Sequence, residues 1–326
     1  MTKSTKQTIK KAPRDFHQEV TNQIIEALEA GVKPWVCPWD VTQSDGLPEN
    51  FSTGNRYSGM NVMLLWMSAQ MNHFSSNQWL TFKQALELGG NVMKGEKGTP
   101  ITFYKSLEKE TMVNGKEEKE TIPMLKTFVV FNLDQIEGIT KPEPKMVLKG
   151  ELDLREDVED FFKATGATIN YVGQKAFFRP STDEIVIPDR ERFESIADLY
   201  ATVMHELTHW TGHKSRLART KGRQFGDKDY AFEELVAELG SAFLMADFGI
   251  VGDVQHESYI ANWLQVLKND KRFIFKAASQ ASKAFTYLKA YVEDAKPIKS
   301  GINSFIALNS PITSTCYRVF ATLEDV

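Results

Sequence analysis

Met204-His205-Glu206-Leu207-Thr208-His209-Trp210 places a glutamate and two histidines in the order His-Glu-x-x-His. An α-helix turns once in about 3.6 residues, so His205 and His209 project from one face and can share one metal ion. Glu206 stands beside them to handle protons. Upstream and through the motif, Ile196, Leu199, Tyr200, Val203 and Leu207 recur at helical spacing, which predicts an amphipathic helix and not a loop. The pattern is that of a zinc-dependent hydrolase, with His205 and His209 as ligands and Glu206 as general base.

A hydrolytic zinc takes three protein ligands and keeps a position for water. The third ligand has three sources: His213, the stretch Phe232-Glu233-Glu234-Leu235-Val236-Ala237-Glu238, and acids further off. His213 lies eight residues beyond His205, about 12 Å along a helix axis, too far unless the helix bends at Gly212. The metzincin pattern HExxHxxGxxH is matched as far as Gly212, but its last histidine falls on Ser215. In the downstream stretch, Phe232, Leu235, Val236, Leu239 and Phe243 form an apolar stripe, and Glu234, Ala237, Glu238 and Ser241 line the adjacent face, as on a second helix. That is the glutamate-zincin arrangement. Glu234 is favoured as ligand because Ala237 completes an ExxA spacing, whose small residue lets the two helices approach. Glu238, one turn on, would orient a histidine or the ligand carboxylate from behind, and His213 is a further supporting candidate. The competing reading is a solvated acidic face, since charged residues are usually exposed.

The rest of the chain is ordinary in composition. Its 326 residues suffice for two domains, each with its own core. With 39 basic and 43 acidic side chains, no global charge advertises a nucleic-acid partner. Cys37 and Cys316 stand far apart in no ligand pattern, which predicts a reducing, cytoplasmic setting and no disulfide framework. The sequence holds no apolar run of membrane-spanning length, and no signal-peptide core follows the basic residues before Asp15, so no membrane partner is expected.

Those first fourteen residues, with Lys3, Lys6, Lys10, Lys11 and Arg14 and no acid, read as a basic arm. Val20, Ile24, Ile25 and Leu28 then mark a helix ending near Gly31. Trp35, Trp39, Trp66 and Trp79 follow, interleaved with Phe51, Tyr57, Phe74, Phe82 and turn-rich polar stretches. The glycines between Gly89 and Gly98 predict a tight loop presenting Lys94 and Lys97. Ile101 to Tyr104 and Leu125 to Phe131 read as strands separated by a charged insert from Leu107 to Glu120. The glycine loop has neither GxxxxGK[ST] nor GxGxxG order and is no nucleotide site. Basic and aromatic residues interleaved on loops are the ingredients of a single-strand binding surface, while tryptophans in a small domain are more often core.

Several motifs occur here in a fixed order. Asn55-Arg56-Tyr57-Ser58-Gly59-Met60-Asn61, Trp79-Leu80-Thr81-Phe82-Lys83-Gln84, Lys94-Gly95-Glu96-Lys97-Gly98 and Val130-Phe131-Asn132-Leu133-Asp134-Gln135 resemble the N-terminal domain of ArdC-family antirestriction proteins. His205 to His213 with Glu233 to Glu238 resemble the metallopeptidase domain paired with it. The resemblance runs roughly from Phe16 to Tyr291 and implies an α+β fold in two domains. The resemblance implies an N-terminal single-stranded-DNA-binding domain (1–140) joined by a linker (141–149) to a zincin-like domain related to the SprT and ImmA/IrrE types (150–296), with a tail (297–326) in which no motif is found. It further implies a plasmid-borne protein that shields incoming DNA from restriction endonucleases during conjugation. Carried over by position, Arg56, Tyr57, Asn61, Trp79, Lys83, Lys94 and Lys97 form the DNA face.

In the second half, Leu152 to Thr165 reads as a helix, and Ala176 to Phe178 and Glu184 to Ile187 as strands around a Pro180–Asp183 turn. A sheet edge before the metal helix suits an extended peptide. Single-stranded DNA is thus the expected partner, with a protein substrate as a second one. The expected cofactor is zinc, with another divalent ion as the alternative. The competing function is a DNA-recruited zinc metalloprotease that cleaves a DNA-bound or regulatory protein.

Overall fold

The apolar spacing of Phe16, Val20, Ile24 and Leu28 produces α1 (Phe16–Glu29), opened by Asp15, whose side chain accepts from the Gln18 amide. The structure, a computed structural model, describes residues 15–35, 46–113, 116–141, 154–219, 228–251 and 257–295. The basic arm, Cys37, Trp39, most of the linker, Cys316 and the tail from residue 297 lie outside them.

The first half continues with β1 (Glu49–Asn50), α2 (Met60–Asn72), β2 (Gln78–Thr81), α3 (Phe82–Glu87), β3 (Asn91–Val92), β4 (Thr99–Val113), β5 (Lys116–Asn132) and β6 (Ile136–Glu137). Four strands form one sheet in the order β1-β2-β5-β4, and β3 pairs with β6 in a small second one. The charged insert expected between two short strands is not an interruption. β4 and β5 pair without a break from Thr99 opposite Val130 to Val113 opposite Lys116. A ladder is built from backbone groups, so a lysine- and glutamate-rich sequence can continue it.

A helix lies against part of each face of the sheet. Leu65 and Ala69 of α2 pack with Trp79, Ile101 and Val130 on one side, and Ala85 of α3 packs with Leu80 and Leu133 on the other. At the outer edge of β4, Asn61 accepts from the Thr102 amide and donates to the Thr102 carbonyl, both at 2.8 Å, as a neighbouring strand would.

The second half comprises α4 (Glu156–Ala164), β7 (Thr168–Tyr171), β8 (Phe177–Arg179), β9 (Glu184–Ile187), α5 (Ile196–Thr211), α6 (Lys228–Asp247), α7 (Glu257–Asn269) and α8 (Phe273–Ala295). Its sheet has the order β7-β9-β8, parallel between β7 and β9 and antiparallel between β8 and β9.

Two separate cores were expected, yet the largest apolar cluster belongs to both halves. Val20, Ile24 and Leu28 of α1, Trp35, and Met63 and Trp66 of α2 pack with Leu235, Leu239 and Phe243 of α6, Trp263 of α7 and Ile274 of α8. The cause is in α2, whose residues from Met60 to Met67 are all buried. A helix apolar on every side must be enclosed on every side. Polar contacts reinforce the junction: the Gly59 amide donates to Ser282 Oγ at 2.6 Å, and Arg56 and Lys289 both pair with the buried Asp247. Among the described residues, no helix is long and apolar enough to cross a membrane.

Candidate metal centre

Ser195 starts α5 by accepting from the Asp198 amide, and the helix carries His205, Glu206 and His209 into the interior. It crosses α6 closely. A Cβ on Gly240 would stand 2.5 Å from Thr208 Cγ2, so the helices meet where one of them has no side chain. Ser241 Oγ donates to the Ala201 carbonyl at 2.8 Å and fixes the crossing. Ala237, the small residue of the ExxA spacing, is fully buried.

This crossing puts Glu234 opposite both histidines. His205 Nε2 is 3.6 Å from Glu234 Oε2, and His209 Nε2 is 3.5 Å from Glu234 Oε1. Ligand atoms about 2.0–2.2 Å from a tetrahedral ion stand about 3.3–3.6 Å apart, so these separations match a shared ion. Among the described residues these three form a group whose ligand atoms all lie within 4.8 Å of one another. Glu206 is buried beside them, and none of the described residues donates a hydrogen bond to its Oε2. A buried carboxylate oxygen with no protein donor fits a site designed to receive a proton from water. The donor set and its surroundings therefore suit a divalent ion.

Behind the ligands stand two more glutamates. Glu238 Oε2 faces His205 Nδ1 at 3.8 Å, and Glu233 Oε1 faces His209 Nδ1 at 3.5 Å. Each of these carboxylates has its own cation. Arg219 grips Glu233 through both oxygens at 3.1 and 3.2 Å, and also donates to Thr211 Oγ1 and to the Thr208 carbonyl. Gly212 keeps this corner open, since a Cβ there would stand 2.9 Å from Glu233 Oε1. Lys33 lies 3.8 Å from Glu238 Oε1, and the Trp35 indole donates to the same oxygen at 3.3 Å. On the Glu234 side, the Tyr230 and Tyr259 hydroxyls meet at 2.9 Å.

The electrostatics follow from this packing. Burial alone would lower the His209 pKa, but the charge of Glu234 and the hydrogen bonds that the ring donates to Glu233 and Glu234 push it up to about 10. Glu234 is held well below the usual carboxylate range, against its burial, by His209 and His205. Against its own burial, Glu233 is likewise held low by His209 and Arg219. A proton on His209 offsets the charge of Glu234, and an ion held by these residues would have to displace that proton.

Other anticipated residues fall elsewhere. α5 ends at Thr211, and His213 turns away, its Nδ1 2.7 Å from Ser215 Oγ. Its neighbours Ser215 and Phe178 are not ligands. The expected DNA face also divides. Trp79 is 0% exposed, packed edge-on against Phe74 within the sheet core. Tyr57 is buried, with burial raising its phenol pKa, and Asn61 serves the edge of β4. Buried rings offer no face to a base, and the Asn61 amide is already paired with Thr102, so these three hold structural positions and not the DNA face. Arg56 is exposed but directed to Asp247, while Lys83, Lys94 and Lys97 are exposed. Lys33, Trp35, Arg219, Tyr230 and Tyr259 were not anticipated; they come from separate elements and share no spacing with the motif.

Residues 14–131 match the family described as the N-terminal domain of anti-restriction factor ArdC, and residues 156–280 match a zincin-like metallopeptidase family. The metal-free crystal structure of the antirestriction ArdC protein from plasmid R388 is similar with a TM-score of 0.74 and 42% identity, covering 86% of this chain and 99% of that one. The chain belongs to the ArdC antirestriction family. The Mn(II)-bound structure of the R388 ArdC protein matches this ArdC-family chain with a TM-score of 0.72 and 39% identity, over 87% and 100% of the two chains. An uncharacterized protein, y4eC, of Sinorhizobium fredii (strain NBRC 101917 / NGR234) is 34% identical over 296 residues, 87% of this chain and 94% of the relative. DNA primase TraC of Escherichia coli is 38% identical over 295 residues, which are 85% of this chain and 20% of the primase. The chain thus spans about a fifth of that relative's length.

Proposed function

We propose that this chain is a plasmid-type antirestriction protein that binds single-stranded DNA and protects incoming DNA from host restriction endonucleases during conjugation, in the cytoplasm. The observation that carries this reading is the match to the R388 antirestriction protein over 99% of that protein's length, which takes in both halves. The DNA-contacting unit is assigned to residues 1–140 and a hydrolytic unit to 150–296.

The DNA surface is drawn around Phe82, which is 53% exposed and follows directly on the buried Trp79-Leu80 strand. Phe82 meets Phe131 edge-on at 6.4 Å, and Gly98 lies against Phe131 and Val129, leaving no room for a Cβ. The strip therefore runs from Phe82 across Phe131 and Val129 to the loop that bears Lys94 and Lys97, with Lys83 at its other end. Rings for stacking and lysines for phosphates are what a single strand requires.

Zinc is the ion assigned to His205, His209 and Glu234. When bound there, the ion would supply the Lewis acidity that turns water into a nucleophile near neutral pH. Glu206 would accept a proton from water held there and pass it to the leaving amine of a peptide. Glu233 and Glu238 hold the histidine rings with Nε2 turned inward.

A second reading is favoured by Glu206, whose buried Oε2 meets no donor among the described residues, an arrangement that a pure binding protein would not need. In it, DNA recruits a metalloprotease that cleaves a DNA-bound or regulatory protein. Transfer of unmethylated plasmid into a restricting recipient separates the two, with donors supplying wild type, Glu206→Ala or no protein. Equal protection by wild type and Glu206→Ala supports protection by binding. Protection by wild type alone favours hydrolysis, and protection by neither contradicts the antirestriction reading.

A further inference from the structure

The two histidines are supported from different parts of the chain. Glu233, behind His209, is clamped by Arg219, and all three belong to the second half. Glu238, behind His205, is met by Lys33 and Trp35, which follow α1 in the first half. Glu238 is 2% exposed and the Lys33 side chain 9%, so this contact is closed to solvent. A carboxylate buried that deeply needs partners, and its orientation is set by where those partners stand.

Trp35 is placed to set that orientation. Its ring is buried, and it packs edge-on against Trp263 at 5.5 Å. Trp263 in turn stacks on Tyr259 at 6.0 Å and donates its own indole N–H to the Ala231 carbonyl at 3.1 Å. The indole is thus fixed on its apolar side, while its single polar hydrogen is directed at Glu238 Oε1. The opposite oxygen of the same carboxylate faces His205 Nδ1.

We propose that Trp35 is a positioning residue of the metal centre: its indole N–H orients Glu238, and Glu238 orients His205, so the first half of the chain completes the support of a metal ligand. The inference rests on His205, His209 and Glu234 being the metal ligands. A tryptophan present only to fill the core would act on stability alone. A positioning tryptophan acts on metal affinity, and only while Glu238 is there to transmit it.

The test is a chelator-competition titration of the full chain with zinc, and separately with manganese. It compares wild type, Trp35→Phe, Glu238→Gln and the double variant, with thermal unfolding of each metal-free form alongside. Loss of the carboxylate behind a ligating histidine weakens metal binding about 10–100-fold, and Glu238→Gln should fall in that range. Trp35→Phe is expected to weaken binding several-fold, and the double variant to bind no more weakly than Glu238→Gln. Replacing Trp35 with benzothienylalanine, which keeps the ring shape and removes the N–H, gives the same loss without disturbing packing. Unchanged affinity in Trp35→Phe and in the benzothienylalanine variant, or losses that multiply independently in the double variant, would overturn the proposal. Failure of the wild type to bind either ion would instead overturn the metal-site reading beneath it.

Discussion

The α5–α6 crossing and the sheet of the first half carry equally dense sequence motifs, but they treat them in opposite ways. At the crossing, residues chosen by spacing converge: His205 and His209 turn inward from one helix and Glu234 meets them from the next. In the sheet, residues chosen by type disperse. Trp79 and Tyr57 enter the core, Asn61 completes a strand edge, and the charged positions stay outside. A metal site imposes a distance on its ligands, and helical periodicity reports that distance. A binding surface imposes only exposure, which alternation along a strand cannot report when a helix lies against part of each face of the sheet. The difference between Trp79 and Phe82, three residues apart, is set by tertiary packing.

The largest effect that would break this comparison is at the crossing. His209→Ala is expected to purify without stoichiometric metal, as read by elemental analysis; full retention of metal would remove the convergence on which the contrast stands. Next in size is Trp79→Ala. Emptying a fully buried tryptophan site costs about 3–5 kcal/mol, so chemical denaturation should show a large loss, whereas a DNA-face tryptophan would leave stability nearly intact.

A third prediction uses pH. The His209 pKa is raised from 6.5 to about 10 in the metal-free fold. Its stabilising contribution is therefore complete below its unfolded value and is lost as pH rises through the folded value. Metal must displace that proton, so apparent affinity should climb by up to about tenfold per pH unit across this window. A flat profile would mean that His209 does not carry the proton. The fourth effect is smaller: Phe82→Ala should leave stability unchanged and weaken binding of a single-stranded oligonucleotide by about 1–3 kcal/mol. The smallest is Lys97→Ala, which should lower the salt dependence of that binding by roughly 0.7 in the log–log slope if it contacts one phosphate.

Much of the architecture could be read in advance because it is periodic. α1, α5 and α6 follow their apolar stripes, and strands 177–179 and 184–187 follow their hydrophobic runs. The shared core could not be read, because an apolar face states that it is buried and not against what. The unbroken β4–β5 ladder was hidden for a related reason, since its charged middle carries no hydrophobic alternation. Near the ligands, Glu233 and Glu238 were within the stretch singled out. Arg219, Lys33 and Trp35 were not, because a residue that reaches a site from a different element leaves no spacing to detect.

The central claim is that His205, His209 and Glu234 together hold one divalent ion beside Glu206. Anomalous diffraction at the zinc edge from crystals of the zinc-loaded protein tests it most directly. The expected result is one peak bonded to Nε2 of His205, Nε2 of His209 and the Glu234 carboxylate, with Glu206, Glu233 and Glu238 outside bonding distance. A peak ligated by Glu233, Glu238 or His213 in place of Glu234, or no peak at this crossing, would contradict the account.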